Sequence, residues 1–305
     1  MVVVSGVGGE TRYQARFREE ARRLVESART RYGLPASRVH WLSEEPVIDP
    51  GAVEGRSSKE NLTRLLGLLA QSSPAEQLMV VFIGHGSAQG GEARFNMPGP
   101  DITPAEMGGL LDRFTGPVVF VNLASASGAF LAPLSRPGRV VITSTRSGFE
   151  RNEVQFGGFF IEALSGDGAD TDKDGRISVL EAFTYAAHET RRFYETGQML
   201  LTEHAMLDDN GDGRGSADPG ATAVDGALAA TLFLAPRGAA TMARGQDPEL
   251  DSLYRRKAEI EREIAGLRAS RSQTERQVYE NKLETLVVEL AQVDRQIKAR
   301  EGARQ

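Results

Sequence analysis

Hydrophobic positions from the start of the chain to about Thr145 follow two periods in alternation. Short β-branched runs predict strands at Val2–Ser5, Arg38–Leu42, Leu78–Ile83, Val118–Leu123 and Arg139–Thr143. The third, Leu-Met-Val-Val-Phe-Ile, has no polar position and so requires cover on both faces. Between the first two strands, Tyr13, Phe17, Ala21, Leu24, Val25, Ala28 and Tyr32 recur at three- and four-residue steps, which gives one apolar helical face. Ser57 with Glu60 predicts a capping box for a helix through Leu69, and Thr103-Pro104-Ala105-Glu106 predicts another helix start. Further helices are expected at about Glu153–Leu164 and Ser178–Tyr194, and a sixth strand at Ala227–Leu234. The alternation defines an α/β fold with a mainly parallel, six-stranded sheet and helices on both faces.

After Pro236 the pattern changes. Residues 1–236 read as the α/β domain, 237–246 as a linker and 247–305 as helical. Leu250, Leu253, Lys257, Ile260, Ile264 and Leu267 form one seam, and Tyr279, Leu283, Leu286, Leu290, Val293 and Ile297 a second. The seams are out of phase, and the stripe breaks at Arg268–Gln273, where Ser272 and Glu275 can cap a new helix. An antiparallel hairpin of coiled-coil type accounts for this. Its expected role is homo-oligomerisation or docking of a partner, against simple packing on the parent domain.

Composition narrows the chemistry. The chain has no cysteine, so disulfides, thiolate metal sites and cysteine nucleophiles are excluded. No apolar run approaches the roughly 18 residues of a membrane-spanning helix, and no signal peptide is visible, although an export signal ahead of the strand at Val2 stays open. The net charge of -6 is local: residues 247–305 hold 12 acids and 12 bases, whereas residues 167–225 hold 13 acids and 5 bases. Concentrated acidity suits cation binding and argues against a nucleic-acid partner.

Two predicted strands end in loops with candidate chemistry. The third runs into Gly84-His85-Gly86-Ser87 and the fourth into Leu123-Ala124-Ser125-Ala126-Ser127-Gly128. Carboxyl ends of parallel strands are where open α/β sheets place their sites. Here the chain resembles the caspase/legumain-like cysteine peptidases, over roughly Val2 to Leu234. The resemblance implies that His85 stands at the base, Gly86 at the backbone oxyanion donor and Ser127-Gly128 at the family's Ser-Gly. Ser125 then falls on the nucleophilic cysteine and Leu123 on an acidic position, two departures within three residues. A serine needs an oriented base to take its proton, whereas a thiol is already partly ionised. One reading is therefore a pseudopeptidase that binds or scaffolds a peptide or protein. The alternative is a serine-type endopeptidase using Ser125 and His85, which needs an orienting acid that the sequence does not locate.

The run from Asp170 to Glu181 fits a twelve-residue EF-hand calcium loop. Asp170, Asp172, Asp174, the Arg176 carbonyl, Ser178 and bidentate Glu181 would supply oxygens, Gly175 the sharp turn and Ile177 an inward anchor. A second acidic loop begins at Asp208 and continues through Asn210 and Asp212, but its twelfth position is Pro219. A second Ca²⁺ there needs Asp218 as the closing carboxylate. Calcium ligation without cysteine suits an extracytoplasmic setting over a cytoplasmic one. The Ser5–Glu10 turn looks like a dinucleotide loop, but Thr11 replaces its third glycine. His188 and His204 lack metal-site spacing, and the charged Thr145–Glu153 segment, which the resemblance places along the substrate pocket, binds a peptide, anchors a partner or only caps the next helix through Asn152.

Overall fold

The computed structural model describes residues 1–46, 51–89, 92–172, 175–234 and 276–302 and, between the last two, residues 252–253, 256–257, 260, 263–264 and 267. Two units are distinct, Met1–Leu234 and Ala235–Gln305. The expected linker at 237–246 and the break at Arg268–Gln273 lie outside the described residues.

The first unit is a seven-stranded, mostly parallel sheet flanked by helices. Its strands are β1 (Val2–Ser5), β2 (His40–Ser43), β3 (Gly55–Arg56), β4 (Leu78–Ile83), β7 (Val118–Asn122), β8 (Arg139–Thr143) and β9 (Met206–Asp208). They lie in the order β3-β2-β1-β4-β7-β8-β9, parallel except that β9 runs antiparallel to β8. A separate antiparallel pair, β5 (Gly86–Gln89) and β6 (Glu92–Phe95), rises from the end of β4. The helices are α1 (Thr11–Thr30), α2 (Lys59–Ser72), α3 (Pro104–Leu111), the single turn α4 (Leu131–Leu134), α5 (Phe156–Ser165) and α6 (Val179–Thr196).

Alternation along the strands builds two layers of core. Val2, Val4, Val80, Phe82, Val118, Phe120 and Val141 share a cluster with Leu62, Leu66, Met107, Leu111 and Leu134 of α2, α3 and α4. The intervening Val3, Val81, Val119 and Ile142 are also fully buried, on the face that a two-residue period turns the other way. On α1, Phe17, Ala21, Leu24, Val25 and Ala28 are buried as the three-four spacing predicts, and α1 packs with α5, as α5 does with α6.

Several expectations need correction. The sheet has seven strands because Gly55–Arg56 extends one edge and Met206–Asp208 the other. The apolar run Ala227–Leu234 is no strand: backbone N–H groups of Gly226, Leu228 and Ala229 donate to the Asp209 carboxylate, folding the segment into a turn that continues as the 3₁₀ helix Ala229–Thr231. The second strand starts at His40, after a 3₁₀ turn at Ala36–Arg38. The cap of α2 is Ser58, which accepts from Asn61 N, rather than a box of Ser57 with Glu60. Asn152 does not cap α5, which begins after Gln155. The Thr103/Glu106 capping box and Pro104 at the first turn of α3 are as expected.

In the second unit, α7 (Arg276–Gly302) faces the described helical residues between 252 and 267. Ile260, Ile264, Val293 and Ile297 form its buried core, joined by Leu253, Leu283, Leu286 and Leu290. Arg256 pairs with Glu289 at 2.7 Å, while Glu263 and Leu267 line one cleft with Asn281 and Leu286, so the two helices run antiparallel. No helix among the described residues is long and apolar enough to cross a membrane.

Candidate functional site

The strand order reverses beside β1, where β2 lies on one side and β4 on the other, so a crevice opens at their carboxyl ends. His85 follows β4 and Ser125 follows β7, and both line a cavity of about 140 Å³ with Tyr13, Arg16, Phe17, Glu20, Leu123, Arg151 and Glu153. The His85 ring stands edge-on to two aromatic rings of α1, 4.7 Å from Tyr13 and 4.9 Å from Phe17. Burial lowers its pKa below the ordinary 6.5, against a hydrogen bond with the Gly8 backbone that favours the charged form.

Ser125 is 7% exposed. Its Oγ donates to Gly86 O at 3.2 Å and accepts from Gly86 N at 3.4 Å. Among the described residues, no hydrogen bond joins Ser125 to the His85 ring. The carboxylates of the cavity are committed elsewhere. Glu153 accepts from Tyr13 Oη at 2.9 Å and from Arg16 at 2.6 Å. Arg16 also binds Glu20 at 2.8 Å and the Val154 carbonyl at 2.9 Å. Burial raises the Glu20 carboxyl above the ordinary range while Arg16 draws it down, and the hydrogen bond to Glu153 raises the Tyr13 phenol.

The Ser127-Gly128 pair is structural. Thr145 N donates to Ser127 Oγ at 3.2 Å, Gly128 N donates to Thr145 Oγ1 at 2.9 Å, and a Cβ on Gly128 would stand 2.3 Å from the Arg146 carbonyl carbon. Ala126, just before the pair, takes the left-handed φ of 55°, held by its N–H to Glu150 O at 2.8 Å. Glu150 also pairs with His204 Nδ1 at 2.7 Å. Sequence reading missed Arg16, Glu20 and the wall role of Tyr13 and Phe17. The i, i+4 spacing of Tyr13 and Phe17 was visible, but nothing local says that their face meets a histidine.

The loop at 170–181 gathers three carboxylates, Asp170, Asp172 and Glu181, whose nearest oxygens all lie within 4.8 Å of one another. Asp174 lies outside the described residues. Gly175 has φ 79° and donates to Asp170 Oδ2 at 3.0 Å, and Ile177 is buried. Ser178 caps α6 in a capping box with Glu181, whose Oε1 also accepts from Thr171 N at 2.9 Å. The Arg176 guanidinium lies 3.4 Å from the centre of the Phe233 ring. An all-oxygen donor set on a turn of this kind fits a hard divalent ion such as Ca²⁺.

In the second loop, Asp208 is fully buried, Gly211 and Gly213 have φ 81° and 75°, Asn210 Oδ1 accepts from Asp212 N at 2.8 Å, and Asp212 Oδ1 accepts from Arg214 N at 2.7 Å. Asp218 is exposed. Asp225, not foreseen, is 2% exposed and accepts from Asp209 N at 3.3 Å.

No family model and no curated protein matches the chain. Among solved structures it is similar to caspase-1 from Spodoptera frugiperda, at 13% identity over 68% of this chain and 85% of that chain, with a TM-score of 0.44. It is also similar to a structural-genomics protein from Geobacter sulfurreducens, at 11% identity over 68% of this chain and 92% of that chain, with a TM-score of 0.41. Values at this level bear on neither chemistry nor partner.

Proposed function

We propose that residues 1–234 form a caspase-like domain that has lost the family's peptidase chemistry and acts as a calcium-braced binding or scaffold component. The ligand would be a peptide or protein lying across the strand-end crevice, and the helical hairpin would serve assembly or partner docking. The observation that carries this reading is the Ser125 hydroxyl, taken up by both backbone groups of Gly86 with no hydrogen bond to His85 among the described residues. A serine hydroxyl without a base to accept its proton is a poor nucleophile. Calcium would be held by Asp170, Asp172 and Glu181, with Asp174, the Arg176 carbonyl and Ser178 completing the set by the loop pattern.

The rival, a serine-type endopeptidase, is favoured by one observation. Burial lowers the His85 pKa and so favours the neutral ring that a general base needs, in the same cavity as Ser125. A fluorophosphonate probe and a mixed peptide library, applied to the calcium-loaded protein with Ser125→Ala and His85→Ala controls, separates the two. Silence from a folded wild type is expected. Labelling or cleavage that both substitutions abolish would overturn the pseudopeptidase reading.

A further inference from the structure

Three buried carboxylates belong to the loop after β9 and to the segment that folds back on it. Asp208 is 0%, Asp209 6% and Asp225 2% exposed, and among the described residues neither these three nor Asp212 forms an ion pair. Asp209 is fully occupied, its Oδ1 accepting from Gly226 N at 2.8 Å and its Oδ2 from Leu228 N at 2.8 Å and Ala229 N at 2.9 Å. Asp208 differs. Its side chain turns into the loop, where Oδ1 accepts from Gly211 N at 3.1 Å, but Oδ2 is buried with no hydrogen-bond partner. A buried carboxylate oxygen without a donor is costly unless a proton or a cation meets it.

The segment carrying Asp225 folds back over this loop. Asn210 Nδ2 donates to Val224 O at 3.4 Å, and Asp209 N donates to Asp225 Oδ1 at 3.3 Å. A second carboxylate is therefore delivered to the backbone that carries Asp208. Asp208, Asn210 and Asp212 stand at the first, third and fifth places of a calcium loop, and Asn210 and Asp212 each keep acceptor capacity beyond their turn bonds. Pro219, at the twelfth place, offers no side-chain oxygen.

We propose that Asp208, Asn210, Asp212 and Asp225 form a second site for a calcium-class cation, with Asp225 as the closing carboxylate brought in from outside the twelve-residue frame. The site deepens the calcium part of the reading above but does not depend on the first loop. Asp218, exposed and turned toward Ser216 through its own N–H, is the competing ligand.

Native mass spectrometry with Ca²⁺, supported by calorimetric titration, counts the ions. Two are expected in the wild type and in Asp218→Asn, one in Glu181→Gln and in Asp225→Asn, and none in the Glu181→Gln/Asp225→Asn double variant. A folded Asp225→Asn that keeps both ions would overturn the proposal, as would a wild type holding one ion that Glu181→Gln removes. A single ion that survives Glu181→Gln and vanishes in Asp225→Asn would keep this site and remove the first. Should Asp225→Asn fail to fold by circular dichroism, terbium-soaked crystals of Glu181→Gln decide. An anomalous peak between Asp208 and Asp225 supports the site; no peak there, or one at Asp218, overturns it.

Discussion

Ser125 Oγ lies between the two backbone groups of Gly86, donating to the carbonyl at 3.2 Å and accepting from the amide at 3.4 Å. The loops after β4 and β7 approach so closely that a Cβ on Gly86 would stand 2.2 Å from the Ser125 carbonyl oxygen. The Ser125 loop has little room to retreat, since Ala126 N, Ser127 Oγ and Gly128 N are all bonded to the segment after β8. Gly86→Ala is expected to cost about 1–3 kcal/mol from forced overpacking. Urea denaturation, read as a lower midpoint at unchanged slope, measures it. A midpoint equal to wild type would mean that the two loops yield and that glycine is not required there.

His85 should write itself into the pH dependence of stability. Its folded pKa is depressed below 6.5 by burial between Tyr13 and Phe17. Below 6.5 the unfolded chain takes up a proton that the folded chain resists, so this group's contribution is fully present above that pH and is lost as pH falls toward the folded pKa. Comparing wild type with His85→Gln by denaturant titration across pH 5 to 8 isolates the group. The difference in stability is expected to be flat above pH 7 and to move against the wild type below 6.5. A difference that stays flat throughout would show that the ring titrates freely.

Glu203 caps a helix from a distance of 47 residues. Only 2% exposed, it accepts from Gln155 N at 2.7 Å and Phe156 N at 3.1 Å, the amides of the N-cap and first residue of α5, and from Tyr194 Oη at 3.0 Å. Glu203→Ala strands those donors and is expected to cost about 2–4 kcal/mol. Glu203→Gln, which retains one acceptor oxygen, should recover part of the loss. Thermal melts of the pair check this, and equal melting points for the two variants would assign the effect to packing alone.

What was legible in the sequence follows how local each cause is. The strands β4, β7 and β8 announce themselves because burial on both faces leaves no polar position in Leu78–Ile83, Val118–Val121 or Val140–Ile142. The Thr103/Glu106 box at α3 was readable because its partners are three residues apart. The edge strand Met206–Asp208 was not, since its reason to exist is antiparallel pairing with Val141–Thr143, more than sixty positions away. The apolar run 227–234 misled for the converse reason: Asp209 captures its first amides and turns it out of the extended state. At the crevice, His85 and Ser125 were identifiable by their places after two strands. Their lack of a mutual hydrogen bond was not, because Ser125 Oγ is taken up by both backbone groups of Gly86, which only the folded chain brings to it.

The acidic loop at 170–181 offers a substitution that tests for metal apart from helix capping. The two oxygens of Glu181 have separate partners: Oε2 closes the capping box with Ser178, and Oε1 accepts from Thr171 N and Oγ1, while the carboxylate lies near those of Asp170 and Asp172. Glutamine at the third helical position sustains a capping box, but it removes the charge and one of the two oxygens of a bidentate ligand. In chelator Glu181→Gln keeps the cap but gives up the bonds that Oε1 accepts from Thr171 N and Oγ1, and is expected to melt below wild type by about 1–3 kcal/mol. In calcium the two should part further. An ion present at a hundred times its Kd stabilises the folded state by about 2.7 kcal/mol, a gain expected at this loop in the wild type and not in the variant. Melting curves with EGTA and with Ca²⁺ for both proteins give the four values needed. If the variant and the wild type gain equally from Ca²⁺, the ion does not bind at Glu181; if the variant melts with the wild type in EGTA, the bonds that Oε1 accepts from Thr171 contribute nothing to the turn.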